Sequence, residues 1–63
     1  MAFVLLLKTP DVAKALGISI TKLEHMRSAG QGPTWIKVGR SVRYRPAEIE
    51  AYLEANTVFR NHN

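Results

Sequence analysis

Gly17-Ile18-Ser19-Ile20-Thr21-Lys22 decides the fold, because helix-forming sequence stands on both sides of it. Upstream lies Thr9-Pro10-Asp11-Val12-Ala13-Lys14-Ala15-Leu16. Thr9 can take an orphan amide, Pro10 presets φ and Asp11 complements the helix dipole. Together they predict an N-cap at Thr9 and a helix over residues 10–16. Gly17 supplies the positive φ of a helix end. Ser19 then caps a second helix over residues 20–29, which Gly30 closes. Two short helices joined by a tight glycine turn predict a helix-turn-helix.

Working outward, the first helix places Val12, Ala13 and Leu16 on one face. The second turns Leu23 and Met26 inward with Ile20 at the edge. Thr21, Lys22, Glu24, His25 and Ser28 face mostly outward, and Arg27 sits at a boundary. Gly30-Gln31-Gly32-Pro33 is a break, since Pro33 disfavours helical backbone at Gly32. Trp35-Ile36-Lys37-Val38 and Ser41-Val42-Arg43-Tyr44-Arg45 both alternate, and Gly39-Arg40 between them fits a type II′ hairpin turn. The alternation assigns Ile36, Val38, Val42 and Tyr44 to a buried face. It assigns Trp35, Lys37, Ser41, Arg43 and Arg45 to a basic outer face, with Trp35 expected to pack against the second helix. Pro46 opens a third helix with Glu48 in its first turn, Ile49, Tyr52 and Leu53 as its core stripe, and Asn56 at its end.

The apolar residues 3–7 are short enough for a strand that joins a sheet, lies over the core or pairs with another copy. Residues 57–63 lack periodicity and read as a frayed tail. The expected fold class is mainly α with a small β-hairpin, a winged helix-turn-helix. It forms one domain over residues 1–63, with a core at about 6–55 and a flexible tail at 56–63.

The chain has 63 residues, 46% of them hydrophobic, and no cysteine. Disulfides are excluded, and two His without Cys argue against a structural zinc site. No cofactor is expected. The opening apolar run is too short for a membrane span, lacks a basic flank and leads directly into a capped helix. A cytoplasmic protein without a membrane partner is therefore expected. Net charge is +4, and its distribution is uneven. Lys22, Arg27, Lys37, Arg40, Arg43 and Arg45 face only Glu24 between residues 22 and 45. From Pro46 onward Glu48, Glu50 and Glu54 face only Arg60. Such segregation gives a side that attracts a phosphate backbone and a side that repels it.

In a helix-turn-helix the second helix reads the major groove, mainly through its N-terminal half. Thr21 can bond a phosphate or touch a thymine methyl, and Lys22 can reach a phosphate or a guanine edge. His25, one turn on, can donate to a base or phosphate. Ser19 and Arg27 complete the candidate set from this region, although Ser19 also serves as the cap. Glu24 repels phosphate unless it accepts from cytosine or pairs with a cation. In the hairpin, Arg40 at the tip and Ser41, Arg43 and Arg45 on the strand are the candidate contacts. A ribbon used this way is a wing, whose guanidinium groups lie along phosphates or enter a narrow minor groove. Arg45 can instead pair with the acids of the third helix. Catalysis has no comparable constellation. The glutamates lack a His or Cys nearby in sequence, and Gly30-Gln31-Gly32 lacks the strand–loop–helix context of a phosphate cradle. No catalytic residue is expected, and the chain reads as a non-enzyme.

Leu6-Leu7, followed by Thr9-Pro10-Asp11-Val12-Ala13-Lys14-Ala15-Leu16-Gly17-Ile18-Ser19, resembles the opening of the MerR-like winged-helix domain of phage excisionases and AlpA-type prophage regulators. The segment from Gly32-Pro33-Thr34-Trp35 through Gly39-Arg40-Ser41-Val42-Arg43-Tyr44-Arg45-Pro46 to Tyr52-Leu53 resembles that group's wing and closing helix. The resemblance implies a recombination directionality factor. Such a protein binds repeated sites on double-stranded attachment DNA, bends it and helps a phage integrase excise. By position, Thr21, Lys22 and His25 would act from the second helix and Arg40 and Arg43 from the wing. Ile20 and Glu24 depart from the more polar or basic residues of many relatives.

Two other functions compete with excision. One is a stand-alone prophage transcription regulator of the same fold. The other is a protein-interaction module that uses the N-terminal apolar segment and a tail in which Phe59 docks on a partner such as the integrase. A domain this small reads few base pairs, so self-association on tandem sites is expected, with residues 3–7 as a candidate edge.

Overall fold

A computed structural model describes residues 5–58 of the chain. The elements run α1 (Thr9–Leu16), α2 (Ile20–Ser28), β1 (Ile36–Val38), β2 (Ser41–Arg43) and α3 (Pro46–Ala55). This is the winged helix-turn-helix expected from the sequence.

The cap of α1 is Lys8, not Thr9. The backbone N–H of Lys8 donates to the Asp11 carboxylate at 3.1 Å, so Asp11 closes the first turn from inside. This frees the Thr9 hydroxyl, which accepts from Arg27 Nη1 at 3.3 Å. Gly17 ends the helix at φ 70°. A side-chain Cβ there would meet nothing within 4 Å, so backbone conformation rather than space calls for glycine. Ser19 caps α2 as expected, its Oγ accepting the Lys22 N–H at 3.0 Å. That helix ends one residue early, at Ser28, with Ala29 as its C-cap.

Val12, Ala13, Leu23, Tyr44 and Ile49 form the buried core, and Leu7, Leu16, Ile18 and Val42 pack against it. All three helices contribute, and Tyr44 brings in the root of the hairpin. Fully burying a residue such as Leu23 contributes about 1.5–3 kcal/mol. In so small a core, one such loss is a large share of total stability. Leu53 is the exception in α3. It was expected inside, yet it is 44% exposed, so Ile49 is the buried member of that stripe and Tyr52 is half-buried.

The hairpin pairs Ile36 with Arg43, Lys37 with Val42 and Val38 with Ser41. Gly39 has φ 62°, and Arg40 has no positive φ, which matches type II′ and rules out type I′. The expected faces need correction. Residues directly opposite one another share a face. Ile36, Val38, Ser41 and Arg43 therefore lie on one side, and Lys37 and Val42 on the other, followed by Trp35 and Tyr44. Val42 and Tyr44 meet the core, whereas Val38 is 52% exposed. Grouping by apolarity puts Ile36 and Val38 with Val42 and Tyr44, and the register across a two-residue turn forbids that grouping.

Of the expected strand over residues 3–7, the described part, residues 5–7, forms a single bridge at Leu7. Leu7 and Tyr44 exchange backbone hydrogen bonds of 2.8 and 2.9 Å. Continuing the antiparallel path back to Leu5 would run alongside Arg45 and Pro46, where α3 begins and proline has no N–H. Phe3, Val4 and Phe59 lie outside the described residues.

Candidate nucleic-acid interface

The cap at Ser19 starts α2 so that Thr21, Lys22 and His25 are all exposed. Their spacing of i, i+1 and i+4 puts them along one flank of a helix. Ser19, Thr21, Lys22 and His25 line one open groove together with Met26, Ala29 and Gln31. Thus four candidate residues from the sequence come together on a continuous surface. Glu24 is exposed but does not line the groove. Gln31 was missed, because it lies in the Gly30–Pro33 break rather than on a helix. An amide beside a basic helix was the available signal, since its paired donor and acceptor match an adenine edge.

Arg27 is turned inward. Its Nη1 donates to Thr9 Oγ1 at 3.3 Å and to the Tyr44 hydroxyl at 3.1 Å. Its guanidinium carbon lies 5.9 Å from the centre of the Trp35 ring. Its boundary position on α2 thus points the side chain at the hairpin root, away from the flank of Thr21, Lys22 and His25. Trp35 packs against α2 through this contact, as expected, and remains 39% exposed.

On the wing, Arg40 occupies the turn beside Gly39 and is exposed. Ser41 and Arg43 share the outer face with Ile36 and Val38. Arg43 is half-buried, and its Nη1 donates to the Val42 carbonyl at 2.8 Å. A guanidinium carries five N–H donors, so this bond leaves others for an outside acceptor. Lys37 is a further exposed cation on the wing. Arg45 lies 3.8 Å from the Glu48 carboxylate, the acidic alternative foreseen for it. It caps α3 as well, through its backbone. Among the described residues this is the salt bridge that forms, so Lys22, Arg40 and Arg43 have no acidic partner.

The arrangement presents two cationic surfaces, a helix flank and a hairpin. Among the described residues no cluster of His, Cys, Asp or Glu has the geometry to hold a metal ion. No helix there is long and apolar enough to cross a membrane. The model of a family described as a helix-turn-helix domain matches residues 6–57 of the chain. That family includes small DNA-binding proteins of the excisionase and AlpA-like kind, and its domains are typically non-enzymatic. No curated protein and no solved structure matches the chain.

Proposed function

This chain belongs to the helix-turn-helix domain family, whose membership supports sequence-specific DNA binding, and from that premise we propose that it is an excisionase. In this reading it binds and bends attachment-site DNA and directs a phage integrase toward excision, in the cytoplasm or nucleoid of the host bacterium. The observation that carries the DNA contact is the groove joining Ser19, Thr21, Lys22 and His25. Thr21 and Lys22 read base edges or adjoining phosphates, His25 extends the reading by one turn, and the Ser19 hydroxyl fixes where the helix begins. Arg40, Ser41 and Arg43 follow the backbone from the wing, with Arg45 behind them. The likeness of residues 6–53 to phage excisionases supports the recombination role.

The deciding experiment joins footprinting with an excision assay. Protection within an attachment site, with loss of excision on deletion of the gene, is the expected result. Footprints confined to promoters would replace excision with transcription regulation by the same DNA-binding surface. Self-association on tandem sites belongs to the same proposal. It predicts protection that extends over neighbouring repeats as protein concentration rises.

A further inference from the structure

Arg27 is a cation on the recognition helix whose contacts run into the molecule. It touches both strands of the wing where they leave the body of the protein. Tyr44 directly follows β2 and accepts its hydrogen bond at 3.1 Å, while Trp35 directly precedes β1 and lies under its guanidinium at 5.9 Å. The pairing of Ile36 with Arg43 ends the ladder, so Trp35 and Tyr44 stand just beyond it on the two sides of the hairpin root. The same Nη1 also reaches Thr9 at the start of α1. One guanidinium thus ties α1, α2 and both wing strands together.

We propose that Arg27 is a positioning residue that sets the angle of the wing to α2, so that helix and wing meet one duplex together. The inference rests on the DNA-binding reading above. A two-stranded hairpin is at best marginally stable by itself, so its direction comes from contacts at its root. The wing tip at Arg40 is four residues beyond Tyr44, a lever of about 13 Å at ~3.3 Å per residue. Tilting that lever by about 10° moves the tip by roughly 2 Å, enough to break a charged hydrogen bond to a phosphate. A planar, always-charged fork holds such an angle better than a flexible ammonium. The bond to Tyr44 holds the fork in place, because breaking it would leave the hydroxyl of a fully buried residue without its partner.

The test measures how the wing's contribution depends on this junction. The full chain, Tyr44→Phe and Arg27→Lys are each compared with and without Arg43→Ala on one duplex, with folding checked by circular dichroism. Tyr44→Phe removes only a buried hydroxyl, and Arg27→Lys keeps the charge while losing the fork. Losing Arg43 should weaken the unaltered chain by about tenfold, the scale of one charge-assisted hydrogen bond. In either altered background it should cost no more than about threefold. A general loss of folding would not remove this coupling from the folded fraction. Equal tenfold losses in every background would overturn the inference while leaving DNA binding intact. A chain without salt-dependent DNA binding would overturn both.

Discussion

Helix α2 and the wing both present unpaired cations, but they acquire their geometry differently. In α2 the exposed flank follows from local periodicity once Ser19 has set the start. In the wing, which side chain faces out depends on pairing across the strands, and the direction of the whole ribbon depends on its root. Tyr44, Leu7 and Arg27 meet there. A helix therefore carries its face in its own sequence, whereas a hairpin takes its face from register and its aim from the body of the protein.

Removing what both regions share should have the largest effect. Leu23 is fully buried at the core between the helices and the hairpin root. Leu23→Ala should cost about 2–5 kcal/mol, enough to unfold much of a domain this small at room temperature. A urea titration followed by circular dichroism reads this directly. A midpoint close to that of the unaltered chain would mean that the core does not hold the two regions together.

Separating the regions comes next. Arg43→Ala should weaken binding to specific and unrelated duplexes alike, by about tenfold, and should make the salt slope shallower by about 0.9. Lys22→Ala should instead change which sequence is preferred, at roughly 1–3 kcal/mol for a lost base contact. Binding measured on a panel of single-base variants distinguishes the two patterns. If both substitutions act uniformly across the panel, the division between reading helix and phosphate-tracking wing is wrong.

The smallest effect concerns where α2 begins. Ser19→Ala removes the acceptor for the Lys22 N–H and should cost about 1 kcal/mol of stability. Thermal unfolding measures that loss. If Ser19→Ala lowers DNA affinity well beyond the accompanying loss of folded protein, Ser19 acts on the DNA as well as on the helix.

The helix-turn-helix was legible because its signals are local. Gly17, Ser19 and the apolar spacing of Val12, Ala13 and Leu23 each act within a turn or two of chain. The turn type at Gly39-Arg40 was legible for the same reason. What the sequence concealed depends on distant contacts. The faces of the wing required the cross-strand register, which pairs Arg43 with Ile36 and so puts both on the same face. Leu53 has the right spacing for a core residue, but α3 buries Ile49 and leaves Leu53 half outside. Arg27 sits at a boundary of the α2 face in the sequence, and only the arrival of Tyr44 and Trp35 beside it shows where its side chain points. Gln31 escaped notice because a glycine-rich break carries no periodic face, although folding brings it to the same groove as Lys22.

The central claim is that helix flank and wing together form one surface for the phosphate backbone of duplex DNA. The dependence of binding on salt tests it most directly. With about four to six phosphate contacts shared between the two regions, log K should fall against log salt with a slope of about −4 to −5. A slope near zero would contradict the account.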